Sequence, residues 1–519
     1  MELVKKNIHM NRQKCEGNVQ ITLDSDINVP DVNPDIKEII TWQGDVKIQE
    51  IRSINSKVMV KGILMYHMIY SGEGMDGLVR YMNGNIEFDE AVNMNDVNAG
   101  DMVNARCELE DLSTDIINSR KISVKAILNI TTTVEEIFDE EAVVDVEGDE
   151  DVQKLTATKK ITEIRLCNKD IFRIKEEVRI PSGRDSIREI IYQNIVIENM
   201  ETRLMKDSLN IRGELRVFIL YMGALDERIN TYETGVSFQG EVNCNGCDDG
   251  MIAKVNYTVQ DKDIQVKPDE DGEDRLLDIE AVLALDMKVY NREEINLLED
   301  MYSTKVNITP IYKTACIDNL IIKNSSKFRI ADRVSLEPGK PKVMQICNAI
   351  GNIRIDEKCI TTDGIEVEGI LEVKVVYFTE ENGNLLGSFT GIIPFSQVID
   401  AKGIKDDSIY ELNGTVDNIN VMVTDESTVE VKAVAGLDVI VFEKTELPVI
   451  TDWQITEKEI SKAANMPGII AYVVGNNDSL WSIAKENKIT MSDIMEMNEL
   501  TDEKLTKGQK LLLVKNIME

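Results

Sequence analysis

The sequence predicts a mostly β protein, built from three tandem repeats of a sandwich- or barrel-like domain and closed by a small β-α-α-β module. Three observations carry that expectation: the chain resembles itself at shifts of 151 and 156 residues, each copy holds the same strand of alternating apolar residues, and the spacing turns helical after Gly468. A length of 519 residues leaves room for about three to four domains. With hydrophobic residues at 43% and charged residues at 29%, the composition is that of a chain able to bury cores along most of its length.

The repeat emerges when the chain is slid along itself. A shift of 151 lays Pro30 on Pro181, Ile39 and Ile40 on Ile190 and Ile191, Gly62 on Gly213, and Tyr70 on Tyr221 without a gap. A further 156 lays Gly213 on Gly369, Tyr221 on Tyr377 and Phe172 on Phe328, and Pro181 reaches Pro338 with one added residue. The copies also end alike, in ISVKAIL around Ala126, LDIEAVL around Ala281 and VEVKAVA around Ala433.

The segments opened by the matched glycines read GILMYHMIY, GELRVFILY and GILEVKVVY. Every second residue after the glycine is apolar in all three, which is the pattern of a strand with one face in a core. The opposite face mixes Ile63, Glu214, Met65, Arg216, His67 and Lys374. The glycine itself should admit a close neighbour or mark a bulge. Each copy follows its early proline with a short helical signature, PDIKEIITW at Pro34 in the first, so a small helix is expected in each domain.

These matches place the repeats at 1–135, 152–297 and 298–446, and the last module at 469–519. Two linkers are expected between them, at 136–151 and 447–468. From Glu135 to Asp151 the chain has ten acids and no base. Charge of one sign at that density should extend the segment as a solvated linker, or make it a docking strip for a basic partner.

In the last module Tyr472-Val473-Val474 reads as a short strand and Asp478 or Ser479 as an N-cap, with Leu480, Ile483 and Ala484 on one helical face. A second helix starts at Met491, burying Ile494 and Met495, and Gly508-Gln509 turns the chain into a strand over Leu511 to Val514. Trp481 lies about 100° around the first helix from Leu480. Trp481 and Lys485, one turn apart, are therefore candidate contacts for a protein partner.

The ordered set Tyr472, Val474, Asp478, Ser479, Leu480, Ile483, Ala484, Ile494, Asn498, Leu500, Leu505, Gly508, Gln509 and Leu511 resembles a LysM domain along the whole module. That resemblance implies a ligand groove for N-acetylglucosamine-containing glycan between two loops. Here they are Gly475, Asn476, Asn477, Asp478 and Ser479, and Asn498, Glu499, Leu500, Thr501, Asp502 and Glu503. Three positions depart from the pattern: Asn476-Asn477 replaces a Pro-Gly, Asn487 replaces an aromatic residue, and Val514 replaces a closing proline. These spare the core and bear on sugar binding.

VPDVNPDIKEII at Val29 and the G-x-L-x-x-x-x-x-Y strands resemble the SPOCS domain of spore-forming bacteria. SPOCS copies followed by one LysM are similar to a clostridial family of spore-coat morphogenetic proteins. The resemblance implies a non-enzymatic scaffold of endospore coat assembly, on the mother-cell, cytoplasmic side of the forespore surface. Its LysM would bind a protein partner, the ATPase of the coat basement layer. A second reading is a peptidoglycan-binding protein of spore cortex or cell wall. A third, a wall hydrolase, leaves no segment to house the chemistry once the repeats are assigned.

The remaining signals mostly exclude. The balance of 58 basic against 93 acidic residues gives a net charge of −35, which repels a phosphate backbone, so nucleic acid is not an expected ligand. No run of about 18 apolar residues occurs, and MELVKKNIHMNRQKCEGN lacks the apolar stretch of a signal peptide, so neither a membrane span nor export is expected. Of eight thinly spread cysteines, Cys244 and Cys247 form a C-x-x-C with no second pair and no nearby histidine. An incidental pair of thiols is expected there, the alternative being a redox or intermolecular metal role. His9 and His67 have no companion nucleophile motif, and no phosphate-binding glycine loop follows a strand. No catalytic residue, metal or cofactor is expected.

Overall fold

A computed structural model describes residues 2–73, 79–148, 151–225, 228–379, 385–456 and 468–514. The first repeat comprises β1 (Glu2–Asn28), β2 (Ile36–Ile54), β3 (Lys57–Gly72), β4 (Val79–Asn93), β5 (Met102–Asn118) and β6 (Lys121–Glu147). The second runs through β7 (Val152–Arg179), β8 (Ile187–Met205), β9 (Ser208–Gly223), β10 (Ile229–Asn243), β11 (Ile252–Pro268) and β12 (Asp274–Ser303). The third contains β13 (Asn307–Ser335), β14 (Gln345–Ile360), β15 (Gly364–Phe378), β16 (Leu386–Asp400), β17 (Ile409–Asp425) and β18 (Thr428–Thr456). Each repeat folds as two antiparallel three-stranded sheets. In the first repeat these are β2-β3-β4 and β1-β6-β5, and the other two follow the same order.

The matched strands take equivalent places. Leu64, Leu215 and Leu371 are all fully buried, as are Tyr70, Tyr221 and Tyr377. The three tyrosine hydroxyls donate to the carbonyls of Pro34, Asp185 and Pro341 respectively, each 36 residues upstream. Opposite the glycines stand Phe88, Phe238 and Phe395. A Cβ at Gly62 would lie 2.5 Å from the Phe88 ring, so glycine is needed for close approach of an aromatic neighbour. The partner strand also bulges at this level in every copy.

Two expectations are corrected. The helical signature after the early proline is strand. In β2 the register shifts between Ile36 and Glu38 and again between Ile39 and Thr41, and β8 repeats both irregularities. Two closely spaced bulges bring residues at i, i+3 and i+4 toward one side and so counterfeit a helical period. The acidic stretch is likewise no linker: residues 136–147 continue β6, paired with β1. Its carboxylates meet bases distant in sequence, Glu136 with Arg12, Glu140 with Lys313 and Glu141 with Lys5, while Ala142, Val143 and Val146 are buried. Residues 447–456 are also strand, the end of β18, and 457–467 lie outside the described residues.

The outer strands β1, β6, β7, β12, β13 and β18 are 27 to 30 residues long. At about 3.3 Å per residue they reach roughly 90 Å, far beyond one domain core. Their free halves pack against one another as a three-part stalk. Ile8, Ile161 and Ile317, one from each repeat, share a buried cluster there, and Val146, Leu298, Met301 and Ile450 share another.

At the other end the mixed faces of the matched strands form the repeat–repeat junction. Ile69, Phe218 and Leu220 cluster with Cys347 and Leu386. Arg216 donates to the carbonyls of Ala349 and Ile419 at 2.9 and 3.1 Å, and Lys374 caps the Trp42 ring at 4.8 Å. All three repeats touch each other and close into one body, and the face that varies between copies varies because each junction has different neighbours.

Candidate functional site

The last module follows the pattern of its sequence. Strand β19 (Ile469–Val473) pairs with β20 (Lys510–Val514), and between them lie α1 (Leu480–Asn487) and α2 (Met491–Met497). Ser479 is the N-cap of α1, closing a capping box with Ser482, and Thr490 caps α2. Leu480, Ile483, Ala484 and Ile494 are buried as their spacing requires, and Met495 is only partly covered.

The two candidate loops lie at the surface. Several of their polar groups are already spent on holding them. The Asp478 carboxylate accepts from the Tyr472 hydroxyl at 2.8 Å and the Gly475 amide at 2.7 Å, and these bonds hold its pKa below the ordinary value. The Asn498 amide donates to the Ile494 and Leu512 carbonyls and accepts from the Leu512 N–H, stitching α2 to β20. Asp502 accepts from the Lys504 amide at 3.0 Å. Asn476, Asn477, Glu499, Thr501 and Glu503 are exposed, and Leu500 is partly buried against the module core. The loops thus offer amides and carboxylates to a ligand, and their sequences contain no aromatic ring on which a sugar could stack.

Trp481 and Lys485 face elsewhere. The Trp481 indole donates to Asp300 at 2.8 Å, and the Lys485 ammonium contacts both Asp300 oxygens at 2.7 Å. Tyr302, fully buried, packs its ring edge on Trp481 with centroids 4.9 Å apart and donates from its hydroxyl to the Ile489 carbonyl at 2.7 Å. Burial pushes the Asp300 pKa up, but the bonds from Lys485 and Trp481 outweigh it and leave the carboxyl below its ordinary value. Sequence reading missed Asp300 and Tyr302, since nothing local marks a strand end as the seat of a module nearly two hundred residues later.

The C-x-x-C pair is buried at a turn that recurs in the first repeat. Cys244 N–H and Cys247 carbonyl bracket Asp207 as Met94 N–H and Val97 carbonyl bracket Ser56. Cysteines here replace core hydrophobes, and burial pushes the Cys247 thiol up to about 12. In the native protein a thiol reagent should label the exposed Cys359 quickly and Cys244 and Cys247 only on unfolding; rapid labelling of the pair would contradict a packing role. His67 bonds the Tyr81 hydroxyl and lies 3.6 Å from Asp45, and burial lowers its pKa. Among the described residues no group of three or more His, Cys, Asp or Glu could hold a metal ion, and no helix is long and apolar enough to cross a membrane.

The fold and this surface define a modular β-rich protein with an appended binding module. Residues 35–117, 186–267 and 342–424 match the family described as SipL, SPOCS domain, and 472–514 match the LysM domain. The chain therefore carries three SipL/SPOCS domains and a C-terminal LysM domain. Comparison with curated proteins and with solved structures found no match. SPOCS domains imply a spore-coat protein, and both families are non-catalytic binding modules.

Proposed function

We propose that this protein is a non-enzymatic adaptor of endospore coat assembly, working on the mother-cell side of the forespore surface, whose LysM module binds a basement-layer protein, the coat ATPase. The observation that supports this most is the LysM surface: the two loops are open to solvent, present Glu499, Asp502 and Glu503, and contain no aromatic residue of their own. Such a surface suits basic or amide groups of a polypeptide better than the apolar faces of a sugar ring. The repeats supply a stiff body that holds the module.

The reading is tested by capture of the purified ATPase on the full chain. Reversing two exposed loop charges, Glu499→Lys with Glu503→Lys, should weaken capture at least about tenfold, a single charge contact being worth on the order of 1 kcal/mol or more at an interface. Undiminished capture together with tight binding of chitin oligomers would instead favour the glycan.

A further inference from the structure

The two outward loops account for one side of the LysM module. Its α1 side is occupied by the protein itself, and the three repeats show why at that place. In each repeat a register shift near the end of the last strand puts an aspartate at the same level: Asp145 on β6, Asp300 on β12 and Asp452 on β18. Each carboxylate accepts from the N–H of the next residue, at 2.8, 2.9 and 2.8 Å. The aspartate at the bulge is common to all three repeats. The residue two places on differs, being Glu147, Tyr302 and Gln454 respectively.

Asp145 is paired with Lys154 at 2.6 Å, a lysine at the start of the next repeat. Only Asp300 is succeeded at that spacing by an aromatic residue, and only there does the LysM module sit. The module completes its core with Tyr302, which is fully buried beside Leu480 and Ile483. Asp300 receives the Trp481 indole and the Lys485 ammonium from α1, and also the Tyr312 hydroxyl of the third repeat at 3.2 Å.

We infer that the α1 face of the LysM module is a second binding surface, specific for a strand end of the form Asp-x-Tyr, and that its ligand is the Asp300–Tyr302 segment of the second repeat. Tyr302 selects one of three similar aspartates, and Asp300 locks the module onto the stalk. The module is then a fixed joint whose free loops point in one direction, and its α1 face is withheld from outside partners. The docking does not depend on what the loops bind.

Zero-length carbodiimide coupling of the full chain, followed by peptide mapping of the monomer, tests this directly. A Lys485–Asp300 cross-link is expected, because ammonium and carboxylate are in contact. Tyr302→Glu, which installs the residue the first repeat has there, should reduce its yield about tenfold or more, since a ring buried in the module core is replaced by a charge; Tyr302→Phe should reduce it less. The Lys313–Glu140 pair on the stalk, 2.9 Å apart, serves as internal control for an intact body. Absence of the Lys485 cross-link from a wild-type monomer that gives the control link would overturn the inference, as would an undiminished yield in Tyr302→Glu. Partner capture, measured separately on the same variants, distinguishes loss of docking from loss of loop binding.

Discussion

Leu215→Ala should destabilise the protein by about 2–5 kcal/mol. Leu215 is fully buried in the core cluster of the second repeat that also holds Ile211, Val217 and Leu283. Removing most of its side chain forfeits the transfer free energy of the lost carbons, and the surrounding strands can close the void only in part. Neighbouring β8 and β10 are hydrogen-bonded on both sides of β9, which limits collapse. Leu64→Ala and Leu371→Ala should fall in the same range, since those side chains are equally buried. Chemical denaturation of the full chain measures the effect. An unchanged midpoint for all three variants would place the matched leucines outside any core.

An effect of similar size is expected at the contact between the first and second repeats. Lys288 on β12 forms an ion pair with Glu135 on β6, and the two side chains are only 5% and 9% exposed. Lys288→Ala leaves a carboxylate buried without its cation and should cost about 3–5 kcal/mol. Replacing both partners by apolar residues, Lys288→Met with Glu135→Leu, should recover most of that loss, because no uncompensated charge remains. Burial lowers the Lys288 pKa, but the Glu135 carboxylate more than offsets this, and the ammonium titrates above its ordinary 10.5. A raised lysine pKa contributes stability that is complete below the unfolded-state value and is lost as pH rises through the folded one. The wild type should therefore lose stability in alkali above about pH 10.5, and the doubly apolar variant should lose less. Denaturation curves of the three proteins across that range decide the point. Equal stability of Lys288→Ala and the wild type would mean that the buried pair contributes nothing to the junction.

Most of what could be read from the sequence is local or recurs in register. Alternation over nine residues placed Leu64, Leu215 and Leu371 in cores, because successive side chains of a strand point to opposite faces whatever the strand pairs with. A cap, an apolar stripe and a turn placed Ser479, Ile483 and Gly508 in the LysM module for the same reason. Repetition multiplied these signals by three, and the family resemblance of both domains rested on them.

Tertiary structure decided what depends on partners far along the chain. The ten acids after Val134 suggested repulsion, since the bases that meet the described ones, among them Lys5, Arg12, Lys154, Lys288 and Lys313, are scattered over β1, β7, β12 and β13 and become neighbours only when three long hairpins pack together. The spacing of Ile36, Ile39 and Ile40 suggested a helix, since a strand with two bulges carries the same spacing and only the register of the strand opposite tells the two apart. The candidate contacts Trp481 and Lys485 were legible as an aromatic and a cation one helical turn apart. That they meet Asp300 and Tyr302 was not, because a hydrogen bond across 181 residues is a property of how the domains close on one another, and no local period encodes it.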